Sequence, residues 1–155
     1  VVPDDATPRG RGSVVVGASG DDTSAEALRF AVAEAADAGA ELEVVHAWTA
    51  TPASLDEVVP PDPASDLEAH RGLLDAAVAQ AEASRSGLRV RAVLEERSPA
   101  NAIADRAGRA RLLVLGSHRR GPIAGLVLGS TARELLPLTS TPLCIVPPTV
   151  RPPRR

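Results

Sequence analysis

Apolar residues recur along the chain in two alternating rhythms. Short unbroken runs, rich in β-branched residues, predict strands buried on both faces: "SVVVGAS" gives one over Ser13 to Ala18, and "RLLVLGS" another over Arg111 to Ser117. Between them lie "ELEVVHAW" and "LRVRAVLEE", the latter alternating apolar and charged residues as a strand with one wetter face does; "PLCIVP" supplies a fifth. The segments between these runs carry helical spacing. Ser24 to Ala38 sets Leu28, Ala31, Val32 and Ala35 on one face, with Gly39 placed to end the helix. Asp66 to Ser84 sets Leu67, Leu74, Val78 and Ala81 on one face of a second helix. Pro99 suits the first turn of a short third helix ending at Gly108, and "STARELLPL" predicts a fourth.

Strands and helices thus alternate from end to end. The expected fold is α/β: a single-domain, doubly wound, open parallel five-stranded sheet with helices on both faces. In such sheets ligands bind beyond the carboxyl ends of the strands, where the strand order reverses. The first and fourth strands end in small, Gly-containing turns at Gly17–Gly20 and Gly116–Ser117. If those strands are neighbours, both turns face one crevice. The domain is expected over 13–147, between a loose arm at 1–12 and a Pro/Arg tail at 148–155. "TATPASLDEVVPPDPAS" reads as a long connection before the second helix, and such connections often cover functional sites.

Composition narrows the function. A length of 155 residues suits one core. Phe30 and Trp48 are the only aromatics, so base-stacking platforms are missing, and a net charge of −3 gives no general attraction to nucleic acid. All 17 basic residues are arginine, which excludes a Walker lysine and Schiff-base chemistry. Cys144 stands alone, which excludes an internal disulfide and fits a reducing compartment. No apolar run is long enough to cross a bilayer and the start does not resemble a signal peptide, so a cytoplasmic protein without a membrane partner is expected.

The candidate chemistry lies in "LGSHRRGPIAGLVLGST", Leu115 to Thr131. Gly116 to Gly121 is spaced like the start of a P-loop, but Pro122 and Ile123 stand where lysine and a hydroxyl residue belong. Gly129, Ser130 and Thr131 precede a helix start, where unpaired N–H groups can meet a phosphate. The same residues also fit a capping box, Thr131 with Glu134, which needs no ligand. His118 is either a phosphate contact or an exposed loop histidine. His46 reads as a hydrogen-bonded core histidine, and His70 as a residue of a charged helix face without a role. Asp21 and Asp22 suit capping of the first helix. Cys144 reads as inert packing within an apolar strand. No two histidines have metal-ligand spacing, and no Ser-His-Asp order or nucleophile elbow is present.

Four stretches, "VVVGASGDDTSAEALRFA", "ELEVVHAW", "RARLLVLGSHRRGPIAGLVLGSTARELL" and "TPLCIVP", resemble the universal stress protein family in order, over Ser13 to Pro147. Its nucleotide-binding members carry Gly, two residues, Gly, nine residues, then Gly-Ser or Gly-Thr; Gly116, Gly129 and Ser130 match. Gly17, Gly20, Ser24, Ala27, Leu28 and Arg29 match the opening strand and helix, and His46 and Ala47 the end of the second strand, where backbone commonly meets adenine. The resemblance implies an adenine nucleotide α-hydrolase-like fold and a regulatory, stress-response module. It implies binding of ATP or a related adenine nucleotide without efficient hydrolysis, with Mg²⁺ held mainly by the phosphates. The binding residues it implies are Gly17, Ala18, Ser19, Ala47, Leu115, Gly116, His118, Arg119, Gly129, Ser130 and Thr131. It also implies a homodimer through the C-terminal strand, 142–147. No catalytic residue is assigned, because no general base stands out.

Three departures leave rival readings open. Arg119 stands where the second motif glycine belongs, Ser19 where an aspartate is usual, and Arg97 where a glycine is common. Arg119 either fills the phosphate space, leaving a homodimeric interaction protein that binds no nucleotide, or reaches the phosphates with its guanidinium. An ATP pyrophosphatase-type enzyme is a third reading: "SGDDTS" resembles the Ser-Gly-Gly-x-Asp-Ser loop of that class, but misses at Asp21 and Thr23.

Overall fold

Val14, Val15 and Val16 are all fully buried, so the strand that carries them is covered on both faces and needs apolar residues at successive positions. In the computed structural model, which describes residues 12–50, 62–117 and 128–149, this strand is β1 (Ser13–Gly17). It lies at the centre of a parallel sheet with β2 (Leu42–Trp48), β3 (Val90–Glu96), β4 (Ala110–Gly116) and β5 (Leu143–Val146), in the order β3-β2-β1-β4-β5. Val16 pairs with Val44 on one side and Val114 on the other. The chain winds outward from β1 to β3, then crosses to β4, so the strand order reverses between β1 and β4.

The alternation of side chains sorts the helices. Val14, Val16, Leu42, Val44 and Val114 pack against α1 (Asp22–Ala38) and α2 (Pro63–Ser84). Val15, Val45, Val93, Leu113 and Leu115 face the other way, onto α3 (Pro99–Ala107) and α4 (Ser130–Leu135). The expected doubly wound α/β fold is what the chain forms.

Helix ends follow local chemistry. Asp21 caps α1, its carboxylate accepting from the Ser24 N–H at 2.9 Å. Gly39 ends α1 in the left-handed region (φ 61°), donating to the Ala35 and Ala36 carbonyls. Several expectations are corrected. The first helix starts at Asp22 rather than Ser24, because Asp21 is its cap. The second helix starts at Pro63 rather than Asp66, because Asp62 caps it by accepting from the Ala64 N–H at 3.1 Å and Pro63 fits the first turn. Its buried face is also narrower than its spacing predicts: Leu74 and Ala81 are buried, but Leu67 is 40% exposed. The fourth helix stops at Leu135 and tightens into a 3₁₀ turn over Leu136–Leu138, where Pro137 supplies no N–H.

One charged cluster sits under the α3 face. Glu43 is 6% exposed; it accepts from the Ser13 hydroxyl at 2.8 Å and lies 3.5 Å from Nε of Arg106. Arg106 also reaches Glu95 at 2.7 Å and donates to the Ala102 carbonyl at 3.0 Å. Most of the N-terminal arm, the C-terminal tail beyond Thr149, residues 51–61 of the long connection and the loop residues His118 and Arg119 lie outside the described residues.

Candidate functional site

Parallel strands deliver their carboxyl ends to one side, and β1 and β4 are neighbours there. Past Gly17 the chain turns through Gly20 (φ 81°) into α1. Ala18 is pinned in this turn, its N–H donating to Val45 O at 2.9 Å and its carbonyl accepting from Nδ1 of His46 at 2.6 Å. The Gly20 N–H donates to the Ser24 hydroxyl at 3.2 Å. The end of β4 runs so close to the first turn of α1 that a Cβ on Gly116 would lie 2.5 Å from the Thr23 carbonyl oxygen. Glycine is what lets the two strand tips and the helix start converge.

The convergence leaves an open cavity of about 170 Å³. Gly17, Ala18 and Ser19 line it from the end of β1, Ala47 from β2, Leu115 and Gly116 from β4, and Gly129, Ser130 and Thr131 from the start of α4. Of the residues singled out from the sequence, only His118 and Arg119 have no described position. The structure adds Thr23 and Ser24 from α1 and Pro99 and Ile103 from α3. The signal for these was present, since helices that follow parallel strands begin at this same edge.

Val45, Ile103 and Leu115 add apolar residues to the lining, and Thr23, Ser130 and Thr131 add residues that carry hydroxyls. The capping box does not form: Gly129 is the N-cap and α4 begins at Ser130, so Thr131 is already helical and is not the cap. Arg97 is engaged by carboxylates, 2.5 Å from Asp105 and 3.6 Å from Glu95. A larger hollow of about 440 Å³ lies at the opposite, amino ends of the strands, between Arg89, Arg91, Arg109 and Glu41.

His46 is the buried, hydrogen-bonded histidine its sequence position predicts. His70 reads from the sequence as part of a charged helix face, whereas the structure joins it to the end of β2. Its Nδ1 lies 2.8 Å from Nε2 of His46, and its ring stacks on Trp48 with centroids 4.4 Å apart. Sequence spacing missed this because it joins α2 to the end of β2 across 24 residues. Burial pushes the Cys144 thiol up, and Glu34 adds to the effect, so the thiolate is scarce near neutral pH. Among the described residues, no three His, Cys, Asp or Glu gather as a metal would need, and no helix is long and apolar enough to cross a membrane.

The family model described as the universal stress protein family matches residues 10–147. A universal stress protein of Mycolicibacterium smegmatis is 29% identical over 147 residues, covering 94% of this chain and 49% of its own length. The chain spans about half the length of the curated relatives it matches. A solved universal stress protein from Archaeoglobus fulgidus superimposes with a TM-score of 0.69 at 25% identity, over 87% of this chain and 98% of that one. A second structure from that organism, in complex with dAMP, gives 0.64 at 23% identity, over 87% and 97%.

Proposed function

Because the chain belongs to the universal stress protein family, we propose that its carboxyl-end crevice holds an adenine nucleotide as a regulatory ligand, without efficient hydrolysis. One observation carries the reading: the β1 turn and the Gly129–Thr131 segment line one cavity, with the end of β2 beside them. A solved relative in complex with dAMP supports the ligand class. The base belongs at Ala18, His46 and Ala47, and the phosphates beside Gly116, Gly129 and Ser130, with His118 and Arg119 on the same loop. Mg²⁺ would arrive with ATP, held by its phosphates. No residue is assigned to water activation, which is why slow turnover at most is proposed.

The test is thermal. With ATP and Mg²⁺ at 100 times the dissociation constant, a ligand specific to the native state stabilises it by about 2.7 kcal/mol. For a chain of this size, that raises Tm by about 5–10 °C. No rise at millimolar ATP overturns the reading and favours the nucleotide-free interaction protein. The same titration on Arg119→Gly is expected to show tighter binding, because glycine restores close backbone approach.

The reading also makes the chain a homodimer through β5. Among the described residues no strand pairs with the outer side of β3 or β5, and the two edges differ: β3 carries Arg91, Glu95 and Glu96, whereas β5 is Leu-Cys-Ile-Val. Charged edges resist pairing and apolar ones invite it. Leu136 and Leu138, 53% and 50% exposed, precede β5 in the chain. The Pro142 and Val146 carbonyls bond to β4, so alternation turns the Ile145 N–H outward. Ile145→Pro removes that donor and is expected to sediment as a monomer with its helical circular dichroism intact. A wild-type monomer, or a variant that remains dimeric, refutes this assembly.

A further inference from the structure

The hydrogen bonds of His46 have a fixed direction. The Ala18 carbonyl can only accept, so the proton at that 2.6 Å contact belongs to Nδ1 of His46. Neutral His46 then accepts at Nε2, and His70 must donate from its Nδ1, leaving its own Nε2 as an acceptor. His70 is itself held by Trp48, with the two rings 18° from parallel. One turn further along α2, Leu73 lies over the same turn of chain: a Cβ on Gly20 would sit 2.5 Å from it. Helix α2 therefore grips the β1 turn at two points, and one of them ends on a backbone carbonyl at the crevice wall.

We propose that His70 is a positioning residue of the crevice: through His46 it fixes the Ala18 carbonyl, with Trp48 clamping its ring. The proposal deepens the nucleotide reading and rests on it for the ligand. With the Ala18 N–H on Val45 and its carbonyl on His46, the wall against which the base lies is held on both sides before ligand arrives, and preorganisation of this kind lowers the cost of binding.

Two variants separate positioning from packing. His70→Asn keeps an N–H donor near the place of Nδ1, whereas His70→Phe keeps a ring on Trp48 and removes the donor. Adenosine monophosphate affinity, measured by calorimetry at neutral pH, is expected to fall about three- to tenfold in His70→Phe, the range for one lost hydrogen bond, and to stay within about twofold of wild type in His70→Asn. Equal binding by all three proteins, or equal loss in both variants, overturns the proposal. A second readout needs no ligand. The Ala18 N–H is held by the Val45 carbonyl, so its hydrogen exchange reports on the pinned turn. In ligand-free protein at neutral pH, exchange at Ala18 is expected to quicken about three- to tenfold in His70→Phe and to match wild type in His70→Asn. Equal exchange in all three proteins, or equal quickening in both variants, overturns the relay. Protection at Ala18 that depends on His70, without nucleotide binding, sinks the nucleotide reading instead, and the relay then stands on the exchange.

Discussion

Arg106→Ala is expected to lower unfolding free energy by about 3–5 kcal/mol, the usual cost of removing one partner from a buried ion pair. Glu43 is 6% exposed under α3 and its cationic partner is Arg106, 3.5 Å away. Among the described residues, the Ser13 hydroxyl at 2.8 Å would be left to stabilise the carboxylate. The pair is not ideal even in the native protein, since Nε of Arg106 is buried without a hydrogen bond. What the arginine supplies is mainly cancellation of a charge that is largely buried, along with a second link to Glu95 at 2.7 Å. For a chain of 155 residues the loss corresponds to a fall in Tm of about 10 °C. The double variant Arg106→Ala with Glu43→Gln is expected to recover part of it, because the amide needs no counter-ion. If chemical denaturation shows the double variant no more stable than Arg106→Ala alone, the cost is packing and not charge.

The second large effect is expected at Gly116. An added methyl would meet the Thr23 carbonyl oxygen at 2.5 Å and its carbon at 2.7 Å. Both are backbone atoms, so no side chain can rotate away and the β4 end and α1 must part. Overpacking of this kind costs about 1–3 kcal/mol. It also moves Thr23 and Ser24, two walls of the cavity, so Gly116→Ala is expected to weaken nucleotide binding as well as the fold. Gly72 is the matched control. It lies within α2 and an added Cβ meets nothing within 4 Å, so Gly72→Ala is expected to stabilise by about 0.5–1 kcal/mol through helix propensity. Urea unfolding of the two variants decides it: a Gly116→Ala protein as stable as wild type would mean that strand and helix do not approach so closely.

The candidate site was legible to the extent that it is made of strand ends. Once β1 and β4 are neighbours, Gly17, Ala18, Ser19, Leu115 and Gly116 must share a crevice, and Gly129, Ser130 and Thr131 close it. Ser24 and Pro99 are legible as parts of α1 and α3, but nothing in the spacing of Thr23, Ser24, Pro99 and Ile103 marks them as lining the crevice, because that depends on how the helices lie against the sheet. The early start of α2 is hidden for a different reason. In "PPDPAS" proline reads as a breaker, yet Asp62 followed by Pro63 is also a cap followed by a first turn.

What the sequence determined by itself is whatever depends on neighbours within a few residues. Apolar runs at successive positions dictated the covered strand β1, helical spacing dictated the body of α1, Pro99 and Gly108 bounded α3, and Gly39 dictated where α1 ends. Tertiary structure alone decided which charges and rings meet. Glu43 and Arg106 are 63 positions apart, and His46 and His70 are 24 apart. Each pair is brought together by strand order and by the face a side chain takes, and spacing along the chain encodes neither.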